Sequence, residues 1–500
     1  MNHLFDEIRA GAASRNALCI ETHDGRRFSY GDMLTLSARF AGALVGCGVM
    51  PGDRVAAQVE KSVEALLLYL GAVRAGAVFL PLNPAYTTAE LAYFFKDAEP
   101  RLVVCAPGRE ADIAALTAAR VETLGRAGDG SLGALVDRSS PDFAEVPRAA
   151  GDLAAILYTS GTTGRSKGAM LTHENLASNA RTLVDYWRFT SADVLIHALP
   201  IFHTHGLFVA TNTLLFAGGA MILLPRFDPG EVLAVMPRAT SLMGVPTFYV
   251  RLLQHPGLTG EATAHMRLFV SGSAPLLAET HAAFHARTGH AILERYGMTE
   301  TNMNTSNPYA GERIAGTVGF PLPGVELRVV EPDSGRPIGP GEIGMIEVRG
   351  PNVCKGYWRM PEKTKAEFRA DGFFITGDLG MIDPRGYVHI LGRGKDLVIS
   401  GGFNVYPKEI ESEIDAMPGV VESAVIGVPH ADFGEGVTAV LVCNKGADVS
   451  EASVLKALDG RLAKFKMPKR VFVVDELPRN TMGKVQKNIL RETYKDIYAK

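Results

Sequence analysis

The chain has 500 residues, of which 47% are hydrophobic and 21% charged, and its formal net charge is −3. This length exceeds what one hydrophobic core usually organises, so we expect at least two domains. Basic and acidic residues are mixed along the chain. This pattern argues against a nucleic-acid partner or an anionic membrane surface, since both need clustered lysine and arginine.

The cysteines lie far apart and show neither CxxC nor CxH spacing: Cys19, Cys47, Cys105, Cys354 and Cys443. Their odd number and spacing argue against a disulfide framework or a zinc site and indicate free thiols in a reducing compartment. The first residues, MNHLFDEIRAG, show no secretory signal. The longest apolar stretch, residues 65–82, is interrupted by Arg74 and glycines and falls short of a membrane span. We expect a soluble, cytoplasmic protein without a membrane partner.

From about residue 25 to 310, short apolar runs alternate with helical patterns. The runs expected as buried strands are 102–105, 154–158, 221–224, 242–245 and 268–270, and the expected helices include 174–187 and 279–288. Strands that alternate with helices predict parallel sheets covered by helices on both faces. The larger part of the chain is therefore predicted to be an α/β domain.

The pattern changes twice towards the C-terminus. Residues 316–391 contain short strands separated by Gly/Pro turns, which indicates a small antiparallel barrel or sheet. After residue 396, a helix (407–417), two strands (420–428 and 437–442), a helix (450–462) and a strand (471–474) suggest a compact α+β unit. We predict an N-terminal domain over residues 1–392 with a β-barrel-like subdomain at 316–392, a hinge at 393–396 and a small C-terminal domain at 397–500.

Residues 158–168 read YTSGTTGRSKG and follow a predicted strand, ahead of a helix that Thr172 is suited to cap. The glycines expose successive N–H groups, and the hydroxyls together with Arg165 and Lys167 add donors, which makes a nest suited to polyphosphate. The P-loop order GxxxxGK[ST] is absent, because Gly164 stands three residues before Lys167. A flexible surface loop of the same composition is the alternative.

This string resembles the phosphate loop of the adenylate-forming superfamily, which includes acyl-CoA synthetases, peptide-synthetase adenylation domains and firefly luciferase. The resemblance implies that ATP binds the loop and that Thr162 contributes to a magnesium site. The loop residues implied in nucleotide binding are Thr159, Ser160, Gly161, Thr162, Thr163, Gly164 and Lys167.

Residues 296–300, YGMTE, resemble the adenylate-binding segment of the superfamily. The resemblance implies that Thr299 touches the α-phosphate and that Glu300 helps to hold Mg²⁺, for which one carboxylate beside a polyphosphate is sufficient. The remaining adenosine and phosphate contacts implied are Ser273, Glu294, Tyr296, Gly297 and Met298.

Three further segments match in order and spacing. Thr376-Gly377-Asp378 resembles the ribose segment, in which Asp378 accepts from both ribose hydroxyls. Residues 391–396 resemble the hinge segment, in which Arg393 contacts ribose or phosphate and the small domain turns about Lys395. Residues 480–484, NTMGK, resemble the catalytic-lysine loop, in which Lys484 bridges the acid and the α-phosphate. Taken singly, these would be ordinary turns and a solvated lysine.

The resemblance implies two reactions at one site. ATP first adenylates a carboxylic acid, and the thiolate of coenzyme A then displaces AMP. Between these steps the small domain rotates, which removes Lys484 and brings in the loop Ser400-Gly401-Gly402-Phe403 to line the CoA channel.

The choice of acid depends on Arg295, Arg251 and His205, which are expected beside the acid pocket. An arginine in a long-chain or aryl pocket would be an unpaired buried charge and costly. A second carboxylate on the substrate would explain it, because a guanidinium binds a carboxylate bidentately. The alternative is an ion pair within the protein, with Glu294 or Glu300, and these residues alone leave the choice open.

Longer runs resemble the malonyl-CoA synthetases of this superfamily: ERYGMTETNMNTSNPYAGERIAGTVGFPLPGV, GPNVCKGYWRMPEKTKAEF and LPRNTMGKVQKNILRETY. The resemblance implies that malonate, ATP and CoA give malonyl-CoA, AMP and pyrophosphate through a malonyl-adenylate. It assigns the distal carboxylate to Arg295, Arg251, Ser273 and His205. Methylmalonate is expected to be tolerated, since one methyl group is worth only about 1–3 kcal/mol of discrimination.

Two alternatives remain open. One is a short-chain or aryl acyl-CoA synthetase, and the other is a non-catalytic nucleotide-binding protein of the same fold. The presence of Lys484 argues against the second, because nucleotide binding alone does not need it. The resemblance also implies that a lysine acetyltransferase and a deacetylase could act on Lys484, since the matching lysine is acetylated in some relatives and acetylation removes its charge.

Overall fold

The computed structural model describes residues 1–159, 166–332, 334–480 and 483–499. Its helices are, in chain order, α1 (His3–Gly11), α2 (Tyr30–Gly46), α3 (Val63–Arg74), α4 (Thr88–Ala98), α5 (Glu110–Ala114), α6 (Ser131–Arg138), α7 (His173–Tyr186), α8 (Thr213–Ala217), α9 (Pro229–Val235), α10 (Pro246–Gln254), α11 (Ala278–Thr288), α12 (Pro361–Glu367), α13 (Pro407–Asp415), α14 (Glu451–Leu458) and α15 (Lys487–Tyr494). A π-helix covers His205–Asn212, and 3₁₀ turns cover Met236–Arg238, Gly394–Asp396 and Lys464–Lys466.

The strands of the described residues are, in chain order, β1 (Leu18–Thr22), β2 (Arg27–Ser29), β3 (Arg54–Gln58), β4 (Val78–Pro81), β5 (Leu102–Cys105), β6 (Arg120–Thr123), β7 (Leu153–Thr159), β8 (Lys167–Thr172), β9 (Val194–His197), β10 (Ala220–Leu223), β11 (Ser241–Gly244), β12 (Leu268–Ser271), β13 (Leu293–Met298), β14 (Asn302–Ser306), β15 (Phe320–Pro321), β16 (Glu326–Val330), β17 (Gly344–Arg349), β18 (Phe374–Ile382), β19 (Val388–Arg393), β20 (Val398–Ser400), β21 (Phe403–Val405), β22 (Val420–His430), β23 (Gly434–Cys443) and β24 (Arg470–Val474).

Two large sheets organise the N-terminal part of the chain. One has the order β15-β14-β13-β12-β11-β9-β10-β1-β2, and the other has the order β6-β5-β3-β4-β7-β8. The strands from β13 to β1 are parallel, as are those from β6 to β7, whereas the edges add antiparallel strands. The predicted α/β class is confirmed.

Helix α3 shows why this part folds as one body. Its sequence, VEALLLYLGAVR, is apolar except for Glu64 in the first turn and Arg74 in the last, and every residue from Val63 to Arg74 is buried. A helix without a polar face must be covered on all sides. Ser62 begins the helix, because its side chain accepts from the amide of Ala65. The main hydrophobic core contains α3 together with residues of α1, α2 and both large sheets.

The β-rich segment predicted at 316–392 contains an antiparallel sheet in the order β16-β17-β18-β19. Ile346, Val348, Phe374 and Val388 form its core. Four strands are too few to close around an interior of side chains, which is why this segment forms a sheet. Strands β18 and β19 carry Asp378 and Arg393 to the same place, since the two residues are paired in register.

The C-terminal part forms a separate sheet with helices on its faces. Strands β21, β20, β23 and β22 are neighbours, and β24 adds to β23 in parallel. The hydrophobic core of this part is its own and includes Val398, Ile410, Val425, Leu441 and Val454. The boundary predicted at residue 392 stays a prediction. No helix in the described part of the chain is long and apolar enough to cross a membrane.

Candidate active site

The candidate site lies where parallel strands of the nine-stranded sheet end. Strands β11 and β12 end at Gly244 and Ser271, and β13 continues into the YGMTE segment. Loops that leave the carboxyl ends of parallel strands are the usual ligand sites of such sheets. The C-terminal domain closes over this edge: a methyl group added at Gly483 would lie 3.6 Å from the side chain of Thr247, the second residue of α10.

The YGMTE segment forms the arm and tip of a β-hairpin. Strands β13 and β14 pair antiparallel, with a register shift between Tyr296 and Gly297. Gly297 must lack a side chain, because a Cβ there would lie 1.9 Å from the carbonyl oxygen of Asn302. Thr299 and Glu300 therefore lie at the hairpin tip, with Thr299 partly exposed and Glu300 buried.

The Asp378 carboxylate joins this hairpin to the antiparallel sheet. The Asp378 carboxylate accepts from the Tyr296 hydroxyl at 2.5 Å and pairs with the Arg393 guanidinium at 2.9 Å. Arg393 also donates to the carbonyl of Thr376 at 3.0 Å. A carboxylate has about four acceptor positions, so further donors such as ribose hydroxyls can be bound. Two of the predicted nucleotide residues, Tyr296 and Arg393, thus contact the third, Asp378.

Glu300 lies in a second polar cluster that the sequence did not predict. The Tyr357 hydroxyl is 3.1 Å from Glu300 and also contacts Glu367, and Lys167 pairs with Glu367 at 2.9 Å. Lys167 also lies 4.3 Å from the centre of the Tyr357 ring, a cation–π contact. The cluster connects the phosphate-loop lysine to the carboxylate expected to hold magnesium. Tyr357 and Glu367 lie in the GYWRMPEKTKAEF run, whose sequence resemblance gave them no individual role.

The residues around Glu300 fit a magnesium ion shared with a substrate's phosphates. Glu300 is buried, and among the described residues it forms no ion pair. Burial raises the pKa of Glu300, although Arg393, the Tyr357 hydroxyl and Lys167 oppose this effect. A desolvated carboxylate without a cationic partner suits a cation, and magnesium commonly takes one carboxylate together with phosphate oxygens. The predicted second contributor, Thr162, lies outside the described residues.

The phosphate loop connects two antiparallel strands, which differs from the sequence prediction. Ser160, Gly161, Thr162, Thr163 and Gly164 lie outside the described residues. Thr159 ends β7 and Lys167 begins β8, which pairs with β7 before α7 starts. The strand intervenes because the segment GAMLT carries apolar residues that complete the sheet core. Thr172 caps α7 as predicted, accepting from the amide of Asn175.

Arg295 is buried without an anionic partner. Its side chain is 3% exposed, and its Nε and Nη2 atoms have no hydrogen-bond partner among the described residues. Gly272 makes room for it, because a Cβ on Gly272 would lie 2.4 Å from the guanidinium carbon. Burial lowers the pKa of Arg295 to about 9.

The ion pair considered as an alternative for Arg295 is not formed in the described structure. Successive side chains of a strand point to opposite faces, which separates Glu294 from Arg295. Glu294 instead accepts from the amide of Gly316 at 3.1 Å, and burial raises its pKa to about 8. Glu300 binds Tyr357, as described above. The Arg295 guanidinium therefore has no carboxylate partner among the described residues.

Two histidines, His205 and His203, and one serine, Ser273, lie around Arg295. His205, fully buried at the start of the π-helix, lies 3.3 Å from the Ser273 hydroxyl, and its Nε2 has no partner among the described residues. Ser273 has a φ of 70°, a backbone strain that is typical of functional loops. Burial and then the charge of Arg295 lower the pKa of His205.

His203 is a pocket residue that the sequence prediction missed. Burial, followed by the charges of Lys484 and Arg295, lowers the pKa of His203 to about 3, so the imidazole lies within electrostatic range of both cations. The only sequence signal was the run IFHTHGL, in which two histidines stand two residues apart and only the second was chosen.

Lys484 faces this same cleft from the C-terminal domain. The Asn480 side chain accepts from the Lys484 amide at 3.0 Å. The Lys484 side chain is exposed to water. Desolvation by the surrounding protein and the Arg393 charge lower the pKa of Lys484, and the carboxylates of Asp378 and Glu300 partly oppose this. The ammonium is therefore within electrostatic range of the nucleotide residues and of Arg295.

Residues 6–358 match the family model described as AMP-binding enzyme, and residues 409–484 match the model described as AMP-binding enzyme C-terminal domain. The chain belongs to the AMP-binding enzyme family. A feruloyl-CoA synthase from an Amycolatopsis species is 37% identical over 97% of this chain and 98% of its own length. A malonate–CoA ligase from Arabidopsis thaliana is 35% identical over 94% of this chain and 85% of its own length. The crystal structure of ATP-bound MatB from Rhodopseudomonas palustris shares 69% identity and a TM-score of 0.98, with 99% of both chains covered.

The loop predicted to line a CoA channel in this AMP-binding enzyme is an exposed hairpin. Ser400 ends β20 and Phe403 begins β21, and between them Gly401 and Gly402 adopt φ values of 59° and 80°. Two consecutive positive φ angles are typical of tight hairpin turns and favour glycine. The Phe403 ring stacks on Phe465 at 4.7 Å and is otherwise exposed. No described contact joins this loop to Lys484, so its role in CoA binding stays a prediction.

Two other predicted residues lie at the margin of the site. Arg251 is exposed on α10, one turn after Thr247 and on the same helix face, so it lies towards the catalytic-lysine loop without a described contact to Arg295. Lys395 is exposed in the 3₁₀ turn Gly394–Asp396, and its neighbour Asp396 pairs with Arg491 of α15 at 2.6 Å. The distal-carboxylate role of Arg251 and the hinge role of Lys395 stay predictions.

Proposed function

We propose that this AMP-binding enzyme is a malonate–CoA ligase. It converts malonate, ATP and CoA to malonyl-CoA, AMP and pyrophosphate through a malonyl-adenylate. The observation that carries this proposal is the buried Arg295 guanidinium, whose Nε and Nη2 have no hydrogen-bond partner among the described residues. The 35% identity to a plant malonate–CoA ligase supports the same acid.

The first half-reaction is adenylation. One carboxylate oxygen of malonate attacks the α-phosphorus of ATP, and pyrophosphate leaves. Asp378, held by Tyr296 and Arg393, orients the ribose, and Thr299 at the hairpin tip lies where the α-phosphate is expected. The Lys484 ammonium supplies positive charge between the two reactants, which favours a transition state whose negative charge is spread over the phosphoryl oxygens. Magnesium, held by Glu300 and the phosphates, would neutralise further negative charge.

The second half-reaction is thioester formation. The thiolate of CoA attacks the carbonyl carbon of the adenylate, and AMP leaves with the oxygen that came from malonate. In the described arrangement the turn around Gly483 fills the space next to Thr247, while Gly401 and Gly402 are exposed away from it. A rotation about the segment near Lys395 would exchange the two loops, a common way to serve two reactions at one site.

The distal carboxylate of malonate is assigned to Arg295. A buried unpaired guanidinium destabilises a protein by several kcal/mol, and such a group is retained where a ligand compensates it. His205 and the Ser273 hydroxyl lie beside it as additional hydrogen-bonding groups. The 37% identity to a feruloyl-CoA synthase favours an aryl acid as the second candidate. Ferulate has no second carboxylate, so it would leave the Arg295 charge uncompensated.

The test is a pyrophosphate-release panel with ATP, Mg²⁺ and CoA. Malonate, methylmalonate, acetate, butyrate, benzoate and ferulate are compared at equal concentrations. We expect malonate to give the highest kcat/KM, and methylmalonate to be accepted within about tenfold to 200-fold of it. If ferulate, benzoate or butyrate is activated and malonate is not, the dicarboxylate proposal is wrong. If no acid releases pyrophosphate, the non-catalytic alternative is favoured.

Two further proposals concern the location of the protein and its regulation. We propose that the protein is cytoplasmic, as its isolated cysteines indicate; all five are free thiols in the structure. We also propose that Lys484 is open to acetylation, because its side chain is accessible to water. Mass spectrometry of the protein purified from its native cells would detect the acetyl group.

A further inference from the structure

Lys61 is linked through His197 to the π-helix that begins at His205, and it takes no part in the chemistry described above. It follows β3, and its side chain is largely buried. Its ammonium donates to the carbonyl oxygen of His197 at 2.7 Å and lies 3.0 Å from the Nδ1 of the same histidine. None of the ion pairs in the described part of the chain involves Lys61, whereas its neighbour Glu60 pairs with Arg126 at the surface.

The contacts of its two nitrogens fix the hydrogen on the His197 ring. The carbonyl oxygen of Gly206 can only accept, so the Nε2 atom beside it must carry the proton, and on a neutral ring Nδ1 is then the acceptor that faces Lys61. The Nε2 atom lies 2.9 Å from the carbonyl oxygen of Gly206 and 3.2 Å from the Thr211 hydroxyl. His197 therefore donates to the backbone of the π-helix. Burial and the Lys61 charge lower the pKa of His197, which keeps the ring neutral.

The hydrogen bond from His197 ends next to a pocket residue. Gly206 directly follows His205, and its carbonyl also accepts from the Thr211 hydroxyl at 2.9 Å. The backbone at Gly206 has little freedom, because a Cβ there would lie 2.1 Å from the carbonyl oxygen of Pro200. A π-helix is a rare and weakly stable conformation that needs support from its surroundings, and it is often associated with functional sites.

We propose that Lys61 is a positioning residue for the acid pocket, which acts through His197 and the π-helix backbone to hold His205 beside Ser273 and Arg295. The inference rests on the proposed function, since it assumes that this pocket binds the acid. The nucleotide residues Tyr296, Asp378 and Arg393 share no described hydrogen bond with this chain of contacts. Loss of the lysine should therefore affect the acid and spare ATP.

The experiment measures KM for the acid and KM for ATP separately by pyrophosphate release. In Lys61→Met, which keeps the length of the side chain and removes its donor, we expect the acid KM to rise about tenfold and the ATP KM to change less than about twofold. Lys61→Arg keeps a cationic donor and should recover most of the affinity for the acid. Arg126→Met, which removes the neighbouring surface cation, is the matched control and should change neither constant.

A double mutant tests whether Lys61 acts through His197. His197→Gln should raise the acid KM by a similar factor, and the combined variant should be no worse than the more affected single variant, because both changes interrupt the same contact chain. Equal changes in the two KM values, or lower thermal stability with unchanged KM values, would mean that Lys61 is only structural. If Lys61→Met does not fold, Lys61→Arg and His197→Gln still decide the matter.

Failure of the Lys61 proposal can be distinguished from failure of the proposed function. The assay uses whichever acid the substrate panel identifies, and the comparison is between acid and ATP. If malonate fails and another acid is activated, a selective rise in the KM of that acid would still support the role of Lys61. If malonate is the substrate and Lys61→Met leaves its KM unchanged, the positioning role is wrong and the proposed function stands.

Discussion

Replacing Arg295 by methionine should reduce malonate activation and at the same time stabilise the protein without ligand. Methionine is unbranched and follows the arginine side chain as far as Nε, so the change removes the charge and the donors and keeps the apolar stem. In the free protein the guanidinium is buried, and its Nε and Nη2 have no partner among the described residues. Removal of such a group should raise the free energy of unfolding by about 1–3 kcal/mol.

The kcat/KM for malonate should fall in Arg295→Met, whereas the stability rises. Loss of one member of a buried, hydrogen-bonded charge pair typically costs about 2–5 kcal/mol, and part of that cost comes from the carboxylate left without a partner. This corresponds to a decrease of about 30-fold to 5,000-fold in kcat/KM for malonate. Acetate has no second carboxylate, so its kcat/KM should stay within about threefold or rise, as an apolar pocket suits its methyl group.

Pyrophosphate release with malonate and with acetate measures the change in catalytic efficiency. Thermal unfolding with and without malonate measures the change in stability. Malonate should stabilise the native protein through binding and leave Arg295→Met unaffected. Arg267→Met is the matched control: Arg267 pairs with Asp193 at 2.6 Å, and Asp193 is 4% exposed. That variant should lose stability, by at most about 3–5 kcal/mol, because it leaves the buried carboxylate without its cation while Thr190 and Thr240 still donate to it. Equal losses with both acids in Arg295→Met would refute the assignment of the distal carboxylate.

Three further predictions follow from the same geometry. Lys484→Ala should abolish adenylation yet leave thioester formation from supplied malonyl-AMP largely intact, and equal loss of both half-reactions would contradict the domain rotation. Gly272→Ala should lower malonate kcat/KM by at least about tenfold, with a smaller effect on acetate. The reason is that its Cβ would lie 2.4 Å from the Arg295 guanidinium carbon. If the variant is as active with malonate as the unchanged protein, the guanidinium can move aside. Burial raises the pKa of Glu294 to about 8, so the folded state holds a proton that the unfolded state releases above about pH 4.5. Stability should therefore fall between about pH 4.5 and 8, and Glu294→Gln should flatten this dependence in thermal unfolding measured across that range.

The order of the nucleotide segments could be predicted because each is a short run with its own chemistry. The hairpin tip at Thr299 and Glu300 and the contact between Asp378 and Arg393 follow from local sequence and strand register. The strand β8 was missed, since GAMLT is too short to separate strand from helix by its periodicity.

Other features depend on contacts between distant segments, which no local pattern reports. Tyr357 and Glu367 reach Lys167 only because their segment lies along β8, where the amide of Met170 donates to the carbonyl of Gly356 at 2.9 Å. The need for glycine at position 272 arises from the Arg295 side chain 23 positions later in the sequence. The π-helix was also unpredictable, because the run from residue 205 to 212 is buried on all sides and so shows no helical face.

The central claim is that malonate is activated through its adenylate, and the fate of a malonate oxygen tests it most directly. Malonate labelled with ¹⁸O in both carboxylates is converted with ATP and CoA, and the nucleotide and phosphate products are analysed by mass spectrometry. Attack of a carboxylate oxygen on the α-phosphorus predicts one ¹⁸O atom in AMP and none in pyrophosphate. Label in inorganic phosphate together with ADP, or AMP without label, would contradict the account.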